Sequence, residues 1–190
     1  LFSKDIYDWV SWSRVFQSTE AFTPLIHYLF DYHGLPFSEV ERLTPGTNAV
    51  FKVGGYVIKI YAPRESGLDA DSDYKTELFG LQRSEQLGIS APRLIVKGSI
   101  KARYEFKYFI MEHIEAASLE QIKEGMSDAD KRSFASRLRN ITDKMNTPCN
   151  RFNEIDIIER AVSCPRYKAL PQSFQRERLA WLRKLEIKNH

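Results

Sequence analysis

Lys59 lies at the centre of an apolar segment, YVIKI, where a buried ammonium group needs a partner. Glu77 follows in a segment of helical character, and a helix packed on the strand could bring its carboxylate within reach of the lysine. Before the strand, Gly46, Thr47 and Asn48 make a glycine-opened turn, which can direct backbone N–H groups at an anion. Together these residues predict an anion site formed by a lysine and backbone amides.

These residues are positioned by the segments AVFKV and YVIKI, which flank a Gly-Gly pair. Such a pair between two strands is a strong signal for a two-residue hairpin. Paired residues in a hairpin share one side of the sheet. One side then carries aliphatic and cationic groups: Val50, Lys52, Val57 and Lys59. The other side is apolar and suits a core: Phe51, Ile58 and Ile60. An aliphatic surface for a base, beside a cation for phosphates, favours nucleotide binding.

Helices are expected on both sides of this strand-rich centre. Thr23 is a candidate N-cap for the second of two N-terminal helices, with Pro24 at the first helical position. Ser72 or Asp73 is expected to cap the helix that carries Glu77. Further strands are predicted at 39–43, 93–98 and 104–114, and further helices at 127–146, opened by a Ser-x-x-Asp capping box, and at 173–188.

In order and spacing, these residues resemble the aminoglycoside phosphotransferase family, which has the protein-kinase-like fold. The resemblance rests on GTNAVFK, then VIK, then Glu77, followed by LGISAPRLI and YFIMEHIEAASL, and it covers about residues 40–146. It implies an α+β fold in which a kinase-like N-lobe, an antiparallel sheet plus one helix, precedes the first helices of a helical C-lobe. The implied domains are an N-terminal helical extension (1–38), the N-lobe (39–112), and the hinge with a partial C-lobe (113–190).

The resemblance also implies which residues bind the nucleotide. Lys59 would bind the α- and β-phosphates of ATP, and Glu77 would hold Lys59. The turn before the second strand would cover the phosphates, aliphatic side chains would enclose the base, and the hinge would hydrogen-bond to adenine. The implied residues are Gly46, Thr47, Asn48, Val50, Val57, Lys59, Glu77, Met111, Glu112 and Ile114.

The family's catalytic His-Gly-Asp segment and its later metal-binding Asp have no counterpart in this sequence, and Ala116 and Asn146 replace a usual Gly and His. No catalytic residue and no metal ligand is therefore assigned, and ligands for Mg²⁺ are expected outside this chain. We expect a fragment that ends before the catalytic loop and is inactive by itself. By resemblance, the full protein transfers the γ-phosphoryl group of ATP, with Mg²⁺, to a hydroxyl of a small molecule that the sequence does not identify.

Composition narrows the class of protein. The chain has 190 residues, is 43% hydrophobic, and contains neither an apolar run of membrane-spanning length nor a visible signal peptide. Cys149 and Cys164 match no zinc or redox spacing. A cytoplasmic protein without membrane contact is expected, of an oligomeric state that the sequence does not indicate.

Two other functions stay open. A catalytically inactive nucleotide-binding or scaffold module would share the same residues. A nucleic-acid-binding protein is less favoured: residues 151–190 carry nine Lys/Arg against five Asp/Glu, interleaved with Tyr167, Phe174 and Trp181. Those aromatic residues are interpreted as the core face of a helix, and no nucleic-acid-binding motif accompanies them.

Overall fold

The computed structural model describes residues 1–44, 46–153, 156, 159–160, 163–164 and 168–184. The chain divides into two compact units, Leu1–Asn146 and Thr147–His190, and each is described by itself. Among the described residues, no helix has both the length and the apolar character required to cross a membrane.

A five-stranded antiparallel sheet with helices on both faces makes up most of the first unit, so the expected α+β class is confirmed. The strands lie in the order β1-β2-β3-β5-β4. Their bounds are β1 Val40–Arg42, β2 Ala49–Val53, β3 Tyr56–Ile60, β4 Leu94–Lys101 and β5 Glu105–Glu112. The helices of this unit are α1 Trp9–Val15, α2 Thr19–Tyr32, α3 Ala70–Gln86, α4 Leu119–Ile122 and α5 Asp128–Met145, with 3-10 turns at Arg64–Ser66 and Lys123–Gly125.

The β2–β3 hairpin has the predicted register. Val53 pairs with Tyr56 and Val50 with Lys59. Gly54 has a φ of +58°, a conformation that residues with a Cβ rarely adopt, so the turn needs a glycine there. The apolar side of the hairpin is fully buried, as the alternation predicts: Phe51, Ile58 and Ile60.

Helices α1 and α2 cover this apolar side of the sheet. The Phe22 ring of α2 lies 5.5 Å from that of Phe51, and the Trp12 ring of α1 lies 6.4 Å from that of Phe106 on β5. Helix α3 lies on the opposite side, where its Tyr74 ring stacks 4.5 Å from that of Phe109. The side that carries Lys59 is therefore the side on which α3 packs.

Helix α2 begins earlier than predicted. Thr23 is not its N-cap: the helix starts at Thr19, the Ser18 side chain accepts a hydrogen bond from the Ala21 amide, and Pro24 lies inside the helix. Pro24 removes one backbone donor, but the additional turn buries Phe22 completely against the sheet, which offsets that loss.

Helix α3 also begins earlier than predicted, and neither Ser72 nor Asp73 is its N-cap. Asp69 is the N-cap, and its carboxylate accepts a hydrogen bond from the Ser72 amide at 3.2 Å. The earlier start places Ala70 among the buried residues of the core. The predicted end at Gly88 is confirmed, since its φ of +61° terminates the helix.

The predicted capping box of α5 is present, with Ser127 and Asp130 bonded reciprocally. Three apolar residues at helical spacing on α5 are largely exposed: Phe134, Leu138 and Ile141 are 39%, 52% and 41% accessible. In the second unit, α6 spans Gln172–Lys184, and the remaining predicted helical positions, 185–188, lie outside the described residues.

Candidate functional site

A cleft of about 340 Å³ opens where the turn before β2, strand β3 and helix α3 come together. Its lining contains five of the residues that the sequence predicts for the site and two more from α3. They are Gly46, Thr47, Asn48, Lys59 and Glu77, with Asp73 and Thr76. The structure thus brings the predicted lysine, its predicted partner and the glycine-opened turn to one place.

The predicted ion pair between Lys59 and Glu77 is confirmed. The ammonium group contacts Oε2 of Glu77, and both side chains are partly exposed, at 22% and 30%. Lys59 lies on β3, and Glu77 lies two turns into α3, so the packing of that helix on the sheet makes the contact. A lysine held from one side in this way keeps donors for an anion on its other side.

Tyr61 is a further member of the site that the sequence analysis missed. Its hydroxyl donates a hydrogen bond to Oε2 of Glu77 at 2.7 Å, and the Lys59 ammonium lies 5.2 Å from its ring centroid. Burial, followed by the hydrogen bond to Glu77 and its negative charge, raises the pKa of Tyr61 well above its ordinary value. The phenol therefore stays protonated as a donor. Its position two residues after Lys59, on the same side of the strand, was the available signal.

The turn before β2 is anchored to the rest of the fold at two points. Asn48 is buried, and its side-chain oxygen accepts a hydrogen bond from the Ala62 amide at 3.0 Å. The Thr47 carbonyl accepts a hydrogen bond from the indole nitrogen of Trp12 at 2.8 Å. The Asn48 side chain is thus engaged inside the fold, and what the turn offers to the cleft is mainly its backbone.

The residues predicted to enclose a base lie on the same side of the sheet as Lys59. Val57 pairs with Met111 across β3 and β5, and Val50 pairs with Lys59 across β2 and β3. Val50 and Val57 are partly exposed, whereas Met111 is buried. An aliphatic surface therefore continues along the sheet from the lysine.

The predicted hinge residues begin with Glu112, the last residue of β5, and continue just beyond the strand. The Glu112 amide donates a hydrogen bond to the Arg93 carbonyl at 3.0 Å, and the His113 amide donates one to the Gly55 carbonyl at 2.9 Å. Ile114 is about half exposed. Two of the three amides in this segment are therefore engaged, whereas the Ile114 amide makes no backbone hydrogen bond to a described residue.

Asp73 lines the cleft instead of capping α3, because Asp69 caps the helix four residues earlier. Asp73 and Glu77 are separated by one helical turn and so share a face. The cleft therefore holds two carboxylates and one ammonium, and a bound polyphosphate would need further positive charge. Among the described residues, no group of three His, Cys, Asp or Glu side chains is arranged to hold a metal.

The aromatic residues considered for nucleic-acid binding lie in the second unit. Phe174 and Trp181 are 47% and 54% exposed on α6, so the interpretation as a core face is wrong for both. The Arg178 guanidinium lies 5.9 Å from the Phe174 ring centroid. Tyr167 lies outside the described residues.

Comparison of the chain with protein-family models and with curated proteins finds no match.

Proposed function

We propose that this cleft binds the phosphates of ATP and that the chain is the nucleotide-binding part of an ATP-dependent phosphotransferase with a protein-kinase-like N-lobe. The observation that carries the proposal is the Lys59–Glu77 ion pair beside the Gly46–Asn48 turn, on the aliphatic side of the sheet. The strand order and the single helix on that side also support it.

The proposal assigns roles to Lys59, to its two partners and to the aliphatic residues beside the cleft. Lys59 donates to the α- and β-phosphates, while Glu77 and Tyr61 fix the position of its ammonium group. Val50, Val57 and the neighbouring Met111 contact the base. Phosphoryl transfer depends mainly on positioning and charge neutralisation, and Mg²⁺ supplies positive charge at the transferring group. The acceptor is a hydroxyl of a small molecule, and the proposal assigns no catalytic base and no Mg²⁺ ligand to this sequence.

Nucleotide binding is tested with the Lys59→Met variant. NMR titration of the chain with ATP and Mg²⁺, which detects even millimolar affinity, should show binding by the wild type. Loss of a charge-assisted hydrogen bond should weaken that binding roughly tenfold or more in the variant. Lys52→Met is the matched control, because Lys52 lies on the same side of the sheet but pairs with Glu41 at 3.2 Å. Absence of ATP binding by a folded wild-type chain, or equal losses in both variants, would contradict the proposal.

An inactive nucleotide-binding or scaffold module is the alternative, and it makes the same prediction for binding. The enzyme and the inactive module differ in turnover. The module would bind ATP equally in the ground and transition states, and such binding does not raise the chemical rate. The distinguishing measurement is ATP-dependent phosphorylation of a panel of small hydroxyl compounds by the whole gene product, with its Lys59→Met variant as control. Turnover that the variant loses supports the enzyme, and binding without turnover supports the module.

A further inference from the structure

Trp12 connects helix α1 to the turn that lines the cleft. Its side chain is fully buried, and its indole nitrogen donates to the Thr47 carbonyl at 2.8 Å. Its ring stacks 5.9 Å from that of Phe16 and lies edge-on 6.0 Å from that of Phe22, so its position is fixed by the core. Trp12 is not part of the cleft lining and lies outside the sequence region that resembles the phosphotransferases.

This hydrogen bond fixes the orientation of one peptide group. A trans peptide is planar, so its N–H and C=O groups point in opposite directions, and no cis peptide is present among the described residues. With the Thr47 carbonyl directed at Trp12, the Asn48 N–H must point away from α1. No backbone hydrogen bond from the Gly46, Thr47 or Asn48 amide reaches any described residue.

A second anchor prevents the turn from rotating as a body. The Asn48 side chain accepts a hydrogen bond from the Ala62 amide, two residues beyond β3, so the residue that supplies the N–H of the fixed peptide is also tied down. Rotation of the peptide would break the bond to Trp12 and leave a buried indole donor unpaired, which is costly. The Asn48 amide is thereby held in one direction, and Asn48 lines the same cleft as Lys59.

We infer that Trp12 is a positioning residue for the cleft, which holds the Thr47–Asn48 peptide so that its N–H is presented to a phosphate group. The inference rests on the proposed nucleotide function and deepens it. A neutral backbone donor presented in a fixed direction would strengthen binding of the phosphate chain and leave binding of the base unchanged. Trp12 would therefore control how much affinity the phosphates add, although it touches no part of the ligand.

The test compares ATP with adenosine in the Trp12→Phe variant, which keeps an aromatic ring and removes the indole donor. The measured quantity is the ratio of the two dissociation constants, adenosine over ATP, from NMR titration. The ratio should fall about fivefold in the variant, as expected for one hydrogen bond. Trp9→Phe is the matched control in the same helix, because Trp9 is 42% exposed, and it should leave the ratio unchanged.

The outcomes separate the inference from the function on which it rests. If the variant weakens ATP and adenosine in parallel, or lowers only the melting temperature, Trp12 is structural and the inference is wrong. If the wild-type chain binds no ATP, the proposed function fails and the inference fails with it. If Trp12→Phe does not fold, the indole N–H resonance of Trp12 in the wild-type chain provides a second test. This resonance should shift when ATP is added and should not shift when adenosine is added. Equal shifts with the two ligands would overturn the inference.

Discussion

Two donors share one carboxylate oxygen in the cleft, since the Lys59 ammonium and the Tyr61 hydroxyl both bond to Oε2 of Glu77. We expect Tyr61→Phe to lower the free energy of unfolding by about 1–2 kcal/mol, because a buried hydrogen bond to a charged group is lost. ATP affinity should also fall a few-fold, since Glu77 then holds Lys59 less firmly. Urea denaturation and the NMR titration measure the two effects.

Tyr74→Phe is the matched control for this variant. The Tyr74 ring lies 5.2 Å from that of Tyr61 in the same aromatic cluster, and its hydroxyl makes no hydrogen bond to a described residue. Its substitution should change both quantities little. Equal losses of stability in the two variants would show that removing a hydroxyl from this cluster, and not losing the bond to Glu77, accounts for the effect.

The ion pair was predictable from the sequence because a lysine inside an apolar strand requires a partner, and Glu77 lies one element further on. Tyr61 and Asp73 were not. A tyrosine at the end of a strand suits a core equally well, and only the placement of α3 reveals that its hydroxyl reaches Glu77. Asp73 was assigned as a cap because aspartate favours that position, but Asp69 has the same preference and occupies it.

At the scale of elements, α1 depends on its first turn. A helix of seven residues is not stable by itself, so its capping box and the burial of Trp12 hold it in place. The Asp8 carboxylate accepts hydrogen bonds from the Ser11 amide at 2.7 Å and from the Ser11 hydroxyl at 2.8 Å. These bonds, the backbone bond first, lower the pKa of Asp8 below its ordinary value.

The lowered pKa makes the contribution of this cap depend on pH. The folded chain binds the Asp8 proton less readily than the unfolded chain does, so the stabilisation is complete above the unfolded pKa of about 3.9 and is lost as pH falls through the folded pKa. We expect Asp8→Asn, which keeps the acceptor but cannot ionise, to melt below the wild type at pH 6. The difference in melting temperature should shrink as pH falls below about 4. A difference that stays constant with pH would contradict the assignment.

The strands and the register of the β2–β3 hairpin were predictable, whereas two helix starts were not. The β2–β3 hairpin follows from strict alternation around a Gly-Gly pair, which permits one register only. Several residues near each helix start have a similar preference for the N-cap position. Burial of the first helical turn against the sheet determines which of them becomes the N-cap. Ser18 displaces Thr23 because the earlier start buries Phe22, a contact that local sequence does not encode.

At the scale of the whole molecule, the N-terminal helices bury their apolar faces on the side of the sheet away from the cleft. Phe22 and Phe30 of α2 contact Phe51 and Tyr56 of the hairpin, at 5.5 and 5.9 Å between ring centroids. The sequence predicted these helices but not their location, because an amphipathic pattern requires a partner surface without specifying which one. As a result, α1 is close enough to the Gly46–Asn48 turn for Trp12 to reach it.

The order of the strands also determines how quickly the sheet can assemble. Strands β4 and β5 join through a short turn, as do β2 and β3, and such hairpins form within microseconds. Partners across β3 and β5 are roughly 50 positions apart, so their pairing requires a long loop closure whose entropy is lost before contacts form. We expect β3 and β5 to pair after both hairpins have formed. The Tyr61 amide, which donates to the Lys107 carbonyl, reports on the β3–β5 pairing. Pulse-labelling hydrogen exchange during refolding should therefore protect the hairpin amides before the Tyr61 amide, and simultaneous protection would contradict this order.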